Sequence, residues 1–208
     1  MAVKGVPTQI AAAPLRTVRP LMLRAVYADP EKELVRMRRD GRLVRIAPGT
    51  YTARPDDIAT DADWFPNFEE AAMAYATGQY GPRVPVLAGI GAARFHHAIP
   101  RAIGVTVIAV PQRHRPVTLA NGGKVIFTCA EVVRLDARLE TGGLGAFMVA
   151  TPEQTFVDLL AKPSLGGLPA EAQAAAAALA HSIDADRARR VAAQFPVEVR
   201  RRVEAALR

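Results

Sequence analysis

The sequence predicts an α/β protein of the α+β kind, in which a small basic module precedes a mixed sheet-and-helix domain with a helical C-terminus. Three observations predict it. All of the excess positive charge lies in residues 1–54, signals for helix starts alternate with β-branched runs, and the chain beyond Gly167 has helical composition. With 208 residues, half of them apolar, the chain can bury a core without disulfides or metals.

Composition excludes several classes of protein. The single cysteine, Cys129, excludes an intramolecular disulfide framework and a multi-cysteine metal cluster, and it fits a reducing compartment. No apolar run approaches the ~20 residues that a transmembrane helix needs. The first twenty residues also lack the continuous apolar core of a secretory signal. We therefore expect a cytoplasmic protein with no membrane partner.

The charge is unevenly distributed along the chain. Residues 1–54 hold eleven Lys or Arg and four Asp or Glu, whereas residues 55–208 hold sixteen of each sign. Within the second part, residues 187–208 are again basic, with seven basic and two acidic side chains. A basic module of this kind predicts an anionic partner.

Local signals define the elements of the basic module. Asp29-Pro30-Glu31 is a helix start, because Asp accepts bonds from free N–H groups and Pro fits the first turn. Gly41 is a helix stop. Aliphatic residues on either side of Pro48-Gly49 predict a hairpin. The module then contains helices at Thr8–Ala13, Pro20–Ala28 and Pro30–Asp40, and strands at Leu43–Ile46 and Tyr51–Ala53.

Short helices followed by a hairpin predict a winged helix-turn-helix over residues 1–54. Such a module binds duplex DNA by placing one helix in the major groove while the wing touches the backbone or the minor groove. Arginine suits both tasks, since its planar guanidinium binds guanine or phosphate. The DNA-binding candidates are Arg36, Arg38 and Arg39 on the helix and Arg42, Arg45 and Arg54 on or beside the wing.

The second domain is predicted over residues 60–208, after a polar linker at residues 55–62. The aromatic cluster Trp64, Phe65 and Phe68 is typical of a sealed domain junction, although an exposed docking patch is the alternative. A helix follows at residues 67–79. The β-branched runs predict strands at residues 104–110, 124–128 and 132–135.

Helices dominate the remainder of the second domain. Thr151-Pro152-Glu153 begins a helix on which Asp158 and Lys162 have the spacing of a surface ion pair. Three more helices are predicted at Ala170–Ala180, Ile183–Phe195 and Pro196–Leu207. The last helix carries Arg200, Arg201 and Arg202, which suit a phosphate or an acidic protein surface.

The sequence carries no recognisable catalytic motif. His96, His97, His114 and Cys129 lack the paired spacing of a zinc site, so no metal site is predicted. Walker, dinucleotide-binding and protein-kinase signatures are missing. For phosphoryl transfer the weak catalytic candidates are Asp158 and Lys162, with Glu153 and Arg94. ATP and Mg²⁺ would then be cofactors, and otherwise none is expected.

Three segments together resemble a known family. RRDGRLVRIAPGTYTAR at residues 38–54 resembles the helix-to-wing segment of AbiEi-type antitoxins. VLAGIGAARFHHAIPRAIGVTVIAVPQRHRP at residues 86–116 is similar to the opening of the family's second domain, with His97-Ala98-Ile99 where the family commonly has His-Gly-Leu. VATPEQTFVDLLAKP at residues 149–163 is similar to a later helix. The composition fits an actinobacterial member, such as a mycobacterial one.

The resemblance implies a function for each domain. The first domain would bind promoter DNA and repress its own operon, and the second would neutralise a nucleotidyltransferase-like toxin. The mode of neutralisation stays open between complex formation, action without stable contact, and phosphorylation of a toxin serine by an atypical kinase. A plain transcriptional regulator without a toxin partner is the remaining alternative.

Overall fold

The N-terminal part of the chain forms a small three-stranded sheet with a helix against it. The computed structural model describes residues 5–59 and 61–208, so Lys4 of the basic module lies outside the described residues. The strands are antiparallel and have the order β1-β3-β2. Along the chain the elements are α1 (Thr8–Ala11), a 3₁₀ turn (Pro14–Arg16), β1 (Thr17–Val18), a second 3₁₀ turn (Pro20–Leu23), α2 (Pro30–Arg39), β2 (Leu43–Ala47) and β3 (Thr50–Ala53).

Helix α2 begins and ends as the sequence predicts. The carboxylate of Asp29 accepts a hydrogen bond from the backbone N–H of Lys32 at 3.1 Å, and Pro30 occupies the first turn. The chain leaves the helix through Gly41, whose φ of 73° is a conformation that glycine adopts readily. Leu34 and Met37 are fully buried against the small sheet.

The helix predicted at Pro20–Ala28 is wrong in extent. Only the 3₁₀ turn Pro20–Leu23 forms there, followed by an irregular turn. No side chain caps its start, and of its apolar residues only Leu23 is buried, whereas Leu21, Met22 and Val26 are exposed. A short segment without an apolar stripe to bury gains too little from packing to extend a helix.

The larger part of the chain is a mixed six-stranded sheet with helices packed against it. Its strand order is β6-β7-β5-β4-β9-β8, with β5–β7 and β4–β9 parallel and the other neighbours antiparallel. This arrangement confirms the α/β (α+β) class. The elements are α3 (Phe68–Tyr80), β4 (Val86–Ala88), α4 (Gly89–Phe95), β5 (Val105–Val110), β6 (Val117–Thr118), β7 (Lys124–Cys129), β8 (Ala137–Gly142), β9 (Gly145–Ala150), α5 (Pro152–Ala161), α6 (Pro169–Ala180), α7 (Ala185–Ala192) and α8 (Val197–Ala206).

The strand predicted at residues 132–135 is wrong. Val132–Arg134 is a 3₁₀ turn, and Val133 is 86% exposed. Val132 and Val133 lie in the loop between β7 and β8 and belong to neither strand, so the tertiary structure overrides their β-propensity. The sheet is completed instead by β8 and β9, which join at Gly142 and Gly145 as a hairpin.

The small sheet packs directly on the larger unit. On β2, Val44 and Ile46 contact the core of the larger unit, and the Ile46 carbonyl accepts a hydrogen bond from the N–H of Ala120 at 2.8 Å. Trp64, Phe65 and Phe68 are half-buried against the same core, as expected of a cluster that seals a junction. Within the described residues no helix is both long and apolar enough to cross a bilayer.

Helix α4 lies unusually close to the sheet at Gly91. A Cβ added there would lie 2.2 Å from Oγ1 of Thr106 and 2.9 Å from Cδ1 of Leu87. Both neighbours are buried, so neither can move without disturbing the core. Glycine at this position lets the helix approach the strand that carries Thr106.

We expect Gly91→Ala to destabilise the protein by about 1–3 kcal/mol, the usual cost of overpacking a core, despite the ~1 kcal/mol by which alanine favours a helix over glycine. Gly104→Ala is the matched control, because a Cβ there meets nothing within 4 Å. Urea unfolding of both variants measures the difference. Equal stability of the two variants would contradict the close approach.

Candidate nucleic-acid interface and buried cavity

One side of helix α2 carries basic side chains that point away from the protein. Leu34 and Met37 hold the opposite side against the small sheet. At about 100° per residue, Lys32, Val35 and Arg39 lie within about 60° of one another around the helix axis. We call the basic face the set of exposed cations on α2 and the neighbouring strand β2, which comprises Lys32, Arg36, Arg38, Arg39 and Arg45.

Strand β2 adds Arg45 to this face. Side chains alternate along a strand, so Arg45 lies on the same side of β2 as Leu43. Leu43 is buried in the cluster that includes Leu34 and Met37 of α2. Arg45 therefore lies on the side of the small sheet that α2 covers, and it is exposed there.

Four of the six arginines predicted to bind DNA lie on the basic face. Arg38, Arg39 and Arg45 are exposed, and Arg36 is also exposed but pairs with Glu33 at 2.6 Å. Lys32 is a further cation of this face that the sequence prediction did not include. Its position four residues before Arg36 and seven before Arg39 is the helical spacing that could have identified it.

Arg54 is not available to a ligand. It is only 6% exposed, its Nε donates to the carbonyl of Gly41 at 2.9 Å, and its Nη1 donates to that of Ala62 at 2.8 Å. The guanidinium also lies over the Trp64 ring, 5.5 Å from its centroid. Arg54 therefore joins the hairpin to the segment that follows it.

Arg42 is also largely occupied within the protein. Its side chain is 11% exposed and pairs with Asp40 at 3.1 Å, and Nη1 is 3.5 Å from the carbonyl of Gly5. The chain reverses direction at Gly41, so Arg42 leaves the helix. Its side chain is therefore less exposed than those of Arg38 and Arg39. Of the predicted set, Arg42 and Arg54 serve the structure.

Asp158 and Lys162 line one cavity in the larger unit. The cavity has a volume of about 100 Å³ and lies between the sheet and helix α5, with Gly89, Val107, Thr128 and Phe195 also in its wall. Lys162 does not make the predicted ion pair with Asp158, because its ammonium donates to Oγ1 of Thr128 at 3.1 Å. The cavity is smaller than the roughly 300–1,000 Å³ of sites that hold cofactors and drug-sized ligands.

The environment of Asp158 favours its neutral form. Burial raises the pKa of this carboxyl from 3.8 to about 6, and the effect is reduced by hydrogen bonds from Gln154 and the backbone N–H of Gly89 and by the charge of Lys162. The Gln154 amide donates to Oδ1 at 2.9 Å. Some of the side chain still faces the cavity.

The other two phosphoryl-transfer candidates lie elsewhere. Glu153 accepts a hydrogen bond from the N–H of Asp184 at 3.2 Å, so it joins α5 to the start of α7. Arg94 pairs with Glu69 at 2.7 Å on a different surface. The four candidates therefore do not form one site.

The histidines and the cysteine have separate environments. His96 Nε2 lies 2.7 Å from the carbonyl of Ala150, and burial lowers the pKa of His96. His114 packs against Phe127, with 4.3 Å between ring centroids. His97 has a φ of 61° just past the end of α4. Among residues 5–59 and 61–208, no three His, Cys, Asp or Glu side chains are grouped closely enough to bind a metal ion.

The basic C-terminal segment is partly neutralised by ion pairs. Arg187 pairs with Asp136 at 2.7 Å and Arg189 with Glu204 at 3.1 Å. On α8, Arg202 donates to the carbonyl of Leu160 at 3.1 Å. Arg200, Arg201 and Arg202 are all exposed, so α8 presents cations that can meet a partner.

The raised pKa of Asp158 predicts a specific pH dependence of stability. The unfolded carboxyl ionises near pH 3.8 and the folded one near pH 6, so this residue weakens the fold as the pH rises through that interval. The difference corresponds to roughly 3 kcal/mol, and contact with the cavity reduces our expectation to about 2 kcal/mol. Relative to Asp158→Asn, the wild type should lose this amount between about pH 4 and pH 6.5, measured by urea unfolding.

Asp136→Asn is the control with the opposite sign. Hydrogen bonds from Arg187 lower the pKa of Asp136. The stabilisation that ionised Asp136 gives the fold is therefore present at pH values above the ordinary carboxyl pKa, and it is lost as the pH falls below it. Parallel pH profiles for the wild type and Asp158→Asn would show that the cavity does not disfavour the charge.

Comparisons with known proteins concern the fold. No family model and no curated protein matches the chain. Among solved structures, the RV2827C protein from Mycobacterium tuberculosis is similar, with 17% sequence identity and a TM-score of 0.57. The match covers 99% of this chain and 78% of that chain. The protein thus shares its α/β fold over nearly its whole length with that structure.

Proposed function

We propose that this protein is a DNA-binding antitoxin that represses its own operon and restrains a nucleotidyltransferase-like toxin. The basic face is the observation that carries the proposal. Leu34 and Met37 fix one side of α2 against the protein, which leaves Lys32 and Arg39 exposed on the opposite side and Arg38 exposed at the flank. A helix held in this way presents its cations to a major groove.

The order of the elements supports a winged helix-turn-helix. A helix, a short strand, a helical turn, helix α2 and a hairpin follow one another, and β1 pairs with β3 to close the sheet. The hairpin turn at Pro48 and Gly49 is exposed, which suits the role of a short wing. Arg45 is the one cation of residues 43–53, and it is exposed.

The charges of the basic face support an anionic partner. Within the described part of the chain, Lys32, Arg38, Arg39 and Arg45 enter no ion pair. Duplex DNA offers a regular array of phosphates to such a face, and release of condensed counterions favours binding. The helical shape of the face favours duplex DNA over a flat acidic surface.

The antitoxin half of the proposal rests on the resemblance of three segments to AbiEi-type antitoxins. Restraint by binding is favoured over phosphorylation of the toxin. Asp158 and Lys162 share a cavity, but Lys162 is directed to Thr128, and about 100 Å³ is too small for ATP. Arg200 and Arg201 on α8 are exposed cations that suit an acidic toxin surface.

We expect Arg39→Ala and Arg45→Ala each to weaken binding to the chain's own promoter. Each lost phosphate contact should lower the slope of log affinity against log salt by about one unit. Binding is measured by fluorescence anisotropy over a range of salt concentrations. The control is Arg190→Ala, which removes an exposed arginine from α7 of the larger unit and should leave the slope unchanged. Slopes that are equal in all three variants would reject the basic face.

The toxin function is tested in cells and with purified proteins. If a nucleotidyltransferase-like toxin is encoded beside this chain, we expect the chain to rescue growth when that toxin is expressed. The Arg39→Ala variant should rescue equally well, because the proposal assigns DNA binding and toxin restraint to different surfaces. Incubation of both proteins with γ-labelled ATP should leave the toxin unlabelled.

The two contrary outcomes identify the alternatives. Stoichiometric transfer of label to the toxin would establish the atypical kinase. An absence of rescue, with promoter binding intact, would establish a regulator without a toxin partner.

A further inference from the structure

The exposed residue at the centre of the basic face is apolar. Val35 is 54% exposed, although its helix has Leu34 and Met37 to bury. It lies about 40° from Arg39 and about 60° from both Lys32 and Arg38 around the axis of α2. Exposed cations thus lie on both sides of a single branched hydrocarbon side chain, and the exposed carboxylate of Glu31 lies one turn before it.

The stability of the helix does not account for this valine. A β-branched side chain loses rotamer freedom in a helix, so alanine, lysine or glutamate would favour an exposed helical position more. With 54% of its surface exposed, Val35 also contributes less to the hydrophobic core than a buried residue of the same size. Its two methyl groups are instead available to a partner that the neighbouring cations attract.

The major groove offers one apolar group that such a side chain can recognise. Thymine alone among the four DNA bases carries a methyl group at C5, and small apolar side chains contact it. The cations around Val35 can reach the phosphates or guanines on either side, because their longer side chains extend beyond it. We propose that Val35 is a specificity-determining residue that contacts a thymine methyl group in the operator.

This inference rests on the proposed DNA-binding function and adds to it the identity of a base. It predicts that the bound sequence contains a thymine at the centre of the segment contacted by α2. It also predicts that Arg38 and Arg39 supply affinity there, whereas Val35 supplies discrimination between thymine and the other bases.

The test uses DNA that lacks only the methyl group. Duplexes that bind the wild-type protein are selected from a random-sequence pool, and the selected duplex is then prepared with thymine or with uracil at each thymine position. Affinities of the wild type and Val35→Ala for both duplexes form a double-mutant cycle. Any loss of affinity that arises from an altered DNA shape is the same for both proteins, so it cancels in the cycle.

When uracil replaces the contacted thymine, we expect the wild type to bind about fourfold more weakly, which is the effect of removing one buried methylene-sized group. Val35→Ala should bind both duplexes with nearly equal affinity, and Val35→Thr, which retains one methyl, should give an intermediate ratio. Single uracil substitutions should locate the effect at one thymine in the segment that α2 contacts.

Val133→Ala is the matched control, because Val133 is 86% exposed and lies outside the N-terminal unit. It should lose as much affinity for uracil DNA as the wild type does.

Equal losses of affinity for the wild type and Val35→Ala, or a selected site without thymine, would overturn the inference while leaving DNA binding intact. Failure to select any sequence would instead overturn the proposed function, and the inference with it. Thermal unfolding of Val35→Ala confirms that the variant is folded.

Discussion

The small sheet is buried on both faces and joins helix α2 to the larger unit. Every residue of β3 is buried, since α2 covers one side of this strand and the larger unit covers the other. On β2 the same division separates Leu43, which packs with α2, from Val44 and Ile46, which contact the larger core. One thin layer of strands therefore sets the position of α2 relative to the rest of the protein.

This arrangement explains how similar arginines acquire different roles. Arg45 and Arg54 are nine residues apart in a basic stretch, yet Arg45 is exposed and Arg54 is 6% exposed. The difference arises because the Arg54 guanidinium donates hydrogen bonds to the carbonyls of Gly41, at the end of α2, and Ala62, in the segment that follows the hairpin. The net charge of the module thus overstates the charge that it can offer to a ligand.

Local chemistry was predictable from the sequence, whereas pairing over long distances was not. Asp29 and Thr151 cap their helices as expected, because each bonds to an N–H three residues away. Strand β1 has two residues and pairs with β3, more than thirty positions later, so no local pattern marks it. The environments of Arg54 and Lys162 likewise depend on distant partners, and this is why only part of the candidate site was identified.

If the protein binds duplex DNA as proposed, the hydrogen bond between Ala120 and Ile46 would limit how the hairpin responds to the duplex. A hairpin anchored close to its tip would have little freedom to follow variations in groove width. The nucleic acid would then have to bend or narrow its groove to fit a nearly rigid surface. Sequences that deform easily would be bound in preference even at base pairs that no side chain reaches, so shape would contribute to recognition alongside direct contacts.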